Sequence, residues 1–268
     1  MASIFDGVGA LVDEWLGIDD TWAGQPPRYR NRTNFLRLLN AQPNNLYGPE
    51  LAKRLLDRIA SNWQRAHDLA PHPPGQQNWR FRKKLKISPK NESAEKKLEK
   101  RIAFLTGDDW ANQIPTSSGL VDAGGRHCNI DLAHRQGTAY SLIELKWRSN
   151  TPIYAAVEIL SYGLVYLFSR LRRGQLGYDG NVVFDATAIH LQVLAPRAYY
   201  RGAEQGRLDW LSTAISDGVA HVTADHIGNN LTMDFGFQRF PDGFDDAWSL
   251  CQCSDAALLQ SLNERANL

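Results

Sequence analysis

Two short apolar runs, residues 127–133 and 140–147, flank the segment Arg135-Gln136-Gly137-Thr138. Each run alternates with the period of a strand and the segment between them suits a turn, so this part of the chain reads as a β-hairpin. In an extended chain, residues two apart share a face. Glu144 and Lys146 then point one way, and Ile143, Leu145 and Trp147 the other. Asp131 arrives on the neighbouring strand. Charged side chains within an apolar strand are costly unless they are paired or bind a metal. Two carboxylates and an ammonium converging here can form a divalent-metal site with a cation beside it. The same residues also suit an ordinary buried ion pair.

Helices are expected on both sides of the hairpin. Before it, short helices are expected near residues 4–16 and 33–39. A better one begins at Pro49, where Leu51, Leu55, Leu56, Ile59 and Trp63 recur at helical spacing, and ends before Pro71. Residues 1–78 therefore read as a helical N-terminal region with its linker, and 79–268 as a second unit with a C-terminal elaboration. Residues 91–105 form a helix with Ala94, Leu98, Ile102 and Leu105 as its apolar stripe. Glu95 falls on the flank of that stripe, while Glu92 and Glu99 lie farther round and should face water. Residues 110–115 read as a strand. Asp122, in the Gly-rich connection that follows, is a second choice for the first acid because it lacks apolar strand flanks.

After the hairpin, Thr151-Pro152 opens a long helix that is apolar or aromatic on opposite faces, so it should be buried on two sides. Residues 189–194 read as a strand, 207–217 as a helix, 220–224 and 231–237 as strands, and 256–263 as a final helix. The fold class is α/β (α+β), with a mixed central sheet flanked by helices.

The net charge is +1, so a surface for a polyanion must be local. The densest basic stretch runs from Arg80 to Arg101, with ten Lys or Arg against three Glu. Arg80, Arg82, Lys83 and Lys84 could hold phosphates while Trp79 and Phe81 stack. They could equally be the charged guard of a sheet edge. Three cysteines, Cys128, Cys251 and Cys253, do not make a disulfide framework, and free thiols in a reducing compartment are expected. No apolar run reaches the ~18 residues of a membrane span, and the N-terminus has no basic signal region. A soluble cytoplasmic protein with no membrane partner is the expectation. Nucleophile elbows, Walker loops, dinucleotide fingerprints and zinc-ligand sets are missing from the sequence.

Ile130-Asp131 followed by Glu144-Leu145-Lys146 resembles the PD-(D/E)XK nuclease superfamily, the restriction-endonuclease-like fold. The resemblance spans roughly residues 92–195, with Asn129-Ile130 standing where the motif's name has Pro. It implies a hydrolase of phosphodiester bonds, an endonuclease or exonuclease that leaves a 5′-phosphate, with DNA favoured over RNA. It implies Mg²⁺, with Mn²⁺ as substitute, on Asp131, Glu144 and the Leu145 carbonyl. Lys146 would contact the attacking water or a phosphate oxygen, and Glu95 would be an extra metal-directed acid on the first core helix. Some branches carry Gln-x-x-x-Tyr on the long helix near the scissile phosphate; here Glu158 and Tyr162 hold those positions. Tyr162 is thereby a nucleic-acid contact or a packing residue. Restriction or another defence against foreign nucleic acid is a role common in this superfamily, and a homodimer is compatible with it. The alternative is a nucleic-acid-binding or protein-interaction module that keeps the fold without catalysis.

Overall fold

The computed structural model describes residues 3–43, 46–70, 73–85, 93–121, 128–203, 206–249 and 251–268. Asp122, His127 and residues 86–92 of the basic segment lie outside them. The described residues form eight α-helices and one mixed six-stranded sheet. The order along the chain is α1 (Val8–Trp15), α2 (Arg32–Asn40), α3 (Gly48–Leu69), α4 (Ala94–Leu105), β1 (Trp110–Pro115), β2 (Asn129–Gln136), β3 (Ala139–Leu145), α5 (Pro152–Leu171), β4 (Ala188–Ala195), α6 (Asp209–Ile227), β5 (Thr232–Arg239), α7 (Phe244–Ser249), α8 (Asp255–Asn263) and β6 (Ala266–Asn267).

Strands lie in the sheet in their sequence order. β1, β2 and β3 form an antiparallel meander, β4 and β5 add in parallel, and β6 closes antiparallel. The hairpin turn is tighter than the sequence suggests. Arg135 and Gln136 still pair, with Tyr140 and Ala139, and Gly137-Thr138 alone make the turn. Gly137 supplies the positive φ (65°) that a two-residue turn needs. The parallel β3–β4 step requires a crossover, and α5 provides it. Thr151 caps α5 by accepting the N–H of Tyr154, with Pro152 in the first turn.

Two apolar cores form. The larger joins Leu55 and Trp63 of α3, Leu164 of α5, Leu191 of β4 and Val219 of α6. The smaller joins Leu98 and Ile102 of α4, Ile143, Leu145 and Trp147 at the end of the hairpin, and Leu258 of α8. The N-terminal helices therefore share the main core instead of enclosing one of their own. α5 has the length and apolarity of a membrane span, but 89% of its most apolar window is buried inside this fold. Cys251 and Cys253 are free thiols.

Residues 220–224 are not a strand. They continue α6, whose buried residues Leu211, Ala214, Ile215, Gly218, Val219 and Val222 follow helical spacing. The local Ala-His-Val-Thr-Ala alternation is too short to separate the two periods. α6 lies directly against α3. A Cβ on Gly48 would stand 1.7 Å from the Ala214 carbonyl oxygen, and one on Gly218 would stand 2.6 Å from the Gly48 carbonyl oxygen. Gly48→Ala should thus destabilise the protein by about 1–3 kcal/mol, the usual cost of overpacking, although alanine is the better helix former. Urea unfolding would measure it; an unchanged midpoint would mean that the two helices separate freely.

Candidate active site

Glu144 stands at the C-terminal end of β3 and Lys146 directly follows it; both are buried, as are Ile143 and Leu145. The Lys146 Nζ donates to Glu144 Oε1 at 2.6 Å and to Glu158 Oε2 of α5 at 2.9 Å. Lys146 thus bridges a strand acid and a helix acid. Tyr162, one turn beyond Glu158, directs its hydroxyl at Glu158 Oε1 (3.4 Å). Its ring packs on Phe5 and is 7% exposed, so packing is the part of Tyr162 that the structure shows.

Asp131 does on β2 what Glu144 does on β3. The β2–β3 ladder stops at Leu132 and Ile143, and one further step of the register sets Asp131 opposite Glu144. There the Leu145 N–H donates to Asp131 Oδ2 (3.1 Å) instead of to a backbone carbonyl. This pairing matters because a buried amide without an acceptor is costly. Asp131 Oδ1 accepts from Lys96 Nζ of α4 at 2.8 Å, and Lys96 also donates to Glu99 Oε2 at 2.7 Å. A second lysine therefore bridges a second pair of strand and helix acids.

Glu99 corrects the reading of α4. It was expected in water, yet it is fully buried. Asn112 and Gln113 of β1 each donate to it at 2.9 Å. Neighbouring side chains of a regular strand diverge. Gln113 has φ 51°, a left-handed value uncommon outside glycine, and this turn of the backbone lets both amides reach one carboxylate. Strain of this kind concentrates at functional sites. Glu95 has a different role. Its carboxylate accepts from the Trp147 N–H (3.1 Å) and the Ser149 hydroxyl (2.9 Å), so it fixes the chain just beyond Lys146 and contacts neither Asp131 nor Glu144.

The basic segment lies along β1. Trp79 N–H donates to Pro115 O, and Asn112 N–H to Arg82 O. Trp79 is wholly buried and donates to Ser169, so it cannot stack on a base. Lys83 is tied to the Thr106 carbonyl at the end of α4. Arg80 and Arg82 are exposed and line a groove of about 500 Å³ with Phe81, Tyr178 and Val182. Lys84 is exposed and held through its backbone by Asn112. Arg170 and Arg173 are spent on Ala186 O and Asp185, and Arg172 stacks on Phe168. Arg30, from a short 3-10 helix of the N-terminal region, lies 5.0 Å above the Tyr154 ring, and Lys146 is 5.7 Å from that ring. Lys96, Glu99 and Arg30 are the residues here that the sequence did not single out. A lysine one residue after Glu95 was the available signal for Lys96.

Burial, with Asp131 next in effect, raises the Glu144 carboxyl well above the usual glutamate value, against the pull of Lys146. Burial and Asp131 likewise raise Glu99. Burial alone would lower both lysines. Glu144, Glu158 and Asp131 nevertheless hold Lys146 above the ordinary lysine value, and Asp131 and Glu99 do so for Lys96. Four carboxylates thus surround two ammonium groups, a formal surplus of two negative charges in a buried site. Glu144 Oε2 is buried with no hydrogen-bond partner.

Among the described residues, no three His, Cys, Asp or Glu side chains are gathered as a ready metal cluster. The donor chemistry nevertheless fits a hard divalent cation: oxygen ligands, the right surplus charge and one vacant carboxylate oxygen. Lys96 would have to release Asp131 Oδ1 to it. No family model, curated protein or solved structure gives a significant match to the chain.

Proposed function

We propose that this protein is a metal-dependent nuclease of PD-(D/E)XK type that hydrolyses phosphodiester bonds of nucleic acid, DNA in preference to RNA. A cytoplasmic location and a part in restriction or defence against foreign DNA belong to the same proposal. The observation that carries it is the pairing of Asp131 with Glu144 at the end of the hairpin, buried with surplus negative charge and an unpartnered oxygen. The surrounding order supports it too: a helix before the meander and a long helix after it, each sending an acid and sharing a lysine with a strand acid.

Asp131, Glu144 and the Leu145 carbonyl would hold the cation. Bound Mg²⁺ or Mn²⁺ would polarise a phosphate oxygen and acidify a water. Lys146 acts as a fixed positive charge and not as a base, since its acidic neighbours keep it protonated. It offsets the charge that builds on the phosphate oxygens as water adds to phosphorus. Glu158 holds that ammonium in place through its second hydrogen bond. Glu95 orders the backbone after Lys146. The 3′-oxygen leaves and the 5′-phosphate stays with the product.

A non-catalytic binding module is the rival reading, and one observation favours it: Lys96 already occupies Asp131 Oδ1. A cleavage assay on labelled single- and double-stranded DNA and RNA separates the two. Cutting with Mg²⁺ or Mn²⁺ that stops with EDTA is expected. Binding without cutting under every metal condition supports the module.

Arg80 and Arg82 are the exposed cations of the basic segment that flank an open groove. Replacing both with Ala should lower the log–log salt slope of binding by about 1.5, at about 0.7–0.9 per phosphate contact. The rate at saturating substrate should survive, because such residues position the strand. An unchanged slope would make this segment only the guard of the β1 edge.

A further inference from the structure

We propose that Tyr199 is a substrate-contacting residue of this site, its hydroxyl donating a hydrogen bond to a non-bridging phosphate oxygen of the bound strand. The proposal rests on the nuclease reading and adds a residue that neither the motif nor the hairpin supplies.

Tyr199 belongs to a 3-10 turn, Arg197–Tyr200, that follows β4 directly. β4 is the parallel neighbour of β3, and the Lys146 N–H donates to the Leu194 carbonyl at 2.9 Å. The turn therefore starts beside the strand end that carries Glu144 and Lys146. Two adjacent tyrosines in it behave differently. Tyr200 is buried and its hydroxyl is shared by the Val193 and Gln238 carbonyls, both at 3.0 Å, so it anchors the turn. Tyr199 packs edge-on against the Tyr200 ring, 5.1 Å between centroids. Its hydroxyl is buried and has no hydrogen-bond partner.

A buried hydroxyl without a partner costs stability, and a native fold that keeps one needs a reason. The turn that carries this phenol leaves β4 beside the end of β3, and Lys146, Glu144, Glu95 and Glu158 are the charged groups that act on it. Burial, the largest influence, raises its pKa above the usual tyrosine value, so the phenol stays a neutral donor. The second unpartnered buried atom of the site is Glu144 Oε2, an acceptor. One vacant donor and one vacant acceptor ask for a ligand that offers an anionic oxygen and a cation together. A phosphodiester with its divalent metal has both. A trapped water would also satisfy the hydroxyl, which would then serve the fold alone.

Tyr199→Phe keeps the ring and removes only the hydroxyl. The measurement is single-turnover cleavage of whichever labelled oligonucleotide the wild type cuts best, made with oxygen at the scissile phosphate and with each phosphorothioate diastereomer. Tyr199→Phe should cut the all-oxygen substrate about 10- to 150-fold more slowly, the range for one hydrogen bond to a charged group. Sulfur accepts hydrogen bonds poorly. One diastereomer should therefore slow the wild type and leave the variant no slower than it is with oxygen. The Tm of the metal-free variant should equal or exceed that of the wild type. Tyr200→Phe is the control: a lower Tm with the wild-type response to sulfur. Equal cleavage by Tyr199→Phe, or a sulfur effect that it shares in full, overturns the contact and leaves the nuclease reading standing. A lower Tm with normal cleavage assigns the hydroxyl to a structural water and also overturns it. Failure of the wild type to cut any substrate overturns both.

Discussion

Asp131→Asn and Glu144→Gln should each slow metal-dependent cleavage by at least about 10²-fold, the scale of losing one group that stabilises transition-state charge. Both changes keep the shape of the side chain and remove its negative charge. The effect should therefore lie in the chemical step and in metal affinity, with the fold retained by circular dichroism. Glu95→Gln should do less, because an amide oxygen can still accept from the Trp147 N–H and Ser149. Measuring the rate against Mg²⁺ concentration for all three variants decides the assignment. Folded Asp131 and Glu144 variants with wild-type rates would remove both acids from the site.

Lys146→Met should destabilise the protein by about 3–5 kcal/mol at neutral pH, the cost of breaking a buried pair by removing one partner. It leaves Glu144 and Glu158 facing each other and Asp131 with no ammonium of Lys146 nearby. The sign of the pH effect follows from Glu144. Its carboxyl is raised in the folded protein above its unfolded value, mainly by burial. A raised acid favours folding where it is protonated, and that contribution is lost as pH rises through the folded pKa. Acidification from neutral toward the ordinary glutamate range should shrink the penalty. Urea unfolding of wild type and variant at both ends of that window measures it. A penalty under about 1 kcal/mol, or one that does not change with pH, would mean that solvent reaches Glu144 and that the site is not the closed cluster described above.

The hairpin could be read in the sequence because two clean alternations flank a glycine turn, and Asp131, Glu144 and Lys146 followed from it. α3 and α5 were equally plain from the spacing of Leu51, Leu55 and Ile59 and of Ile153, Leu160 and Leu164. Glu99 was hidden. Its burial depends on Asn112 and Gln113 reaching it from β1, and on a left-handed Gln113 that no local pattern announces. The apolar Ala94 and Leu105 at the ends of α4 also drew the stripe away from the face that packs, which holds Leu98, Glu99, Ile102 and Ala103. Trp79 looked like a stacking residue beside arginines, but its place is set by Ser169, Tyr166 and Phe184. Residues 220–224 went to the wrong class because five residues cannot distinguish a strand from one and a half helical turns.

The Leu145 N–H finds its acceptor in the Asp131 side chain, at the point where β2 and β3 cease to pair. On the proposed nuclease reading, one carboxylate therefore serves the chemistry and the sheet at once. Even a chain of this fold that did not catalyse could not discard this position freely, because alanine would leave the Leu145 amide without its acceptor. Asparagine alone among short side chains keeps both the reach and an acceptor oxygen. A binding-only protein with this hairpin should therefore carry aspartate or asparagine at the corresponding position.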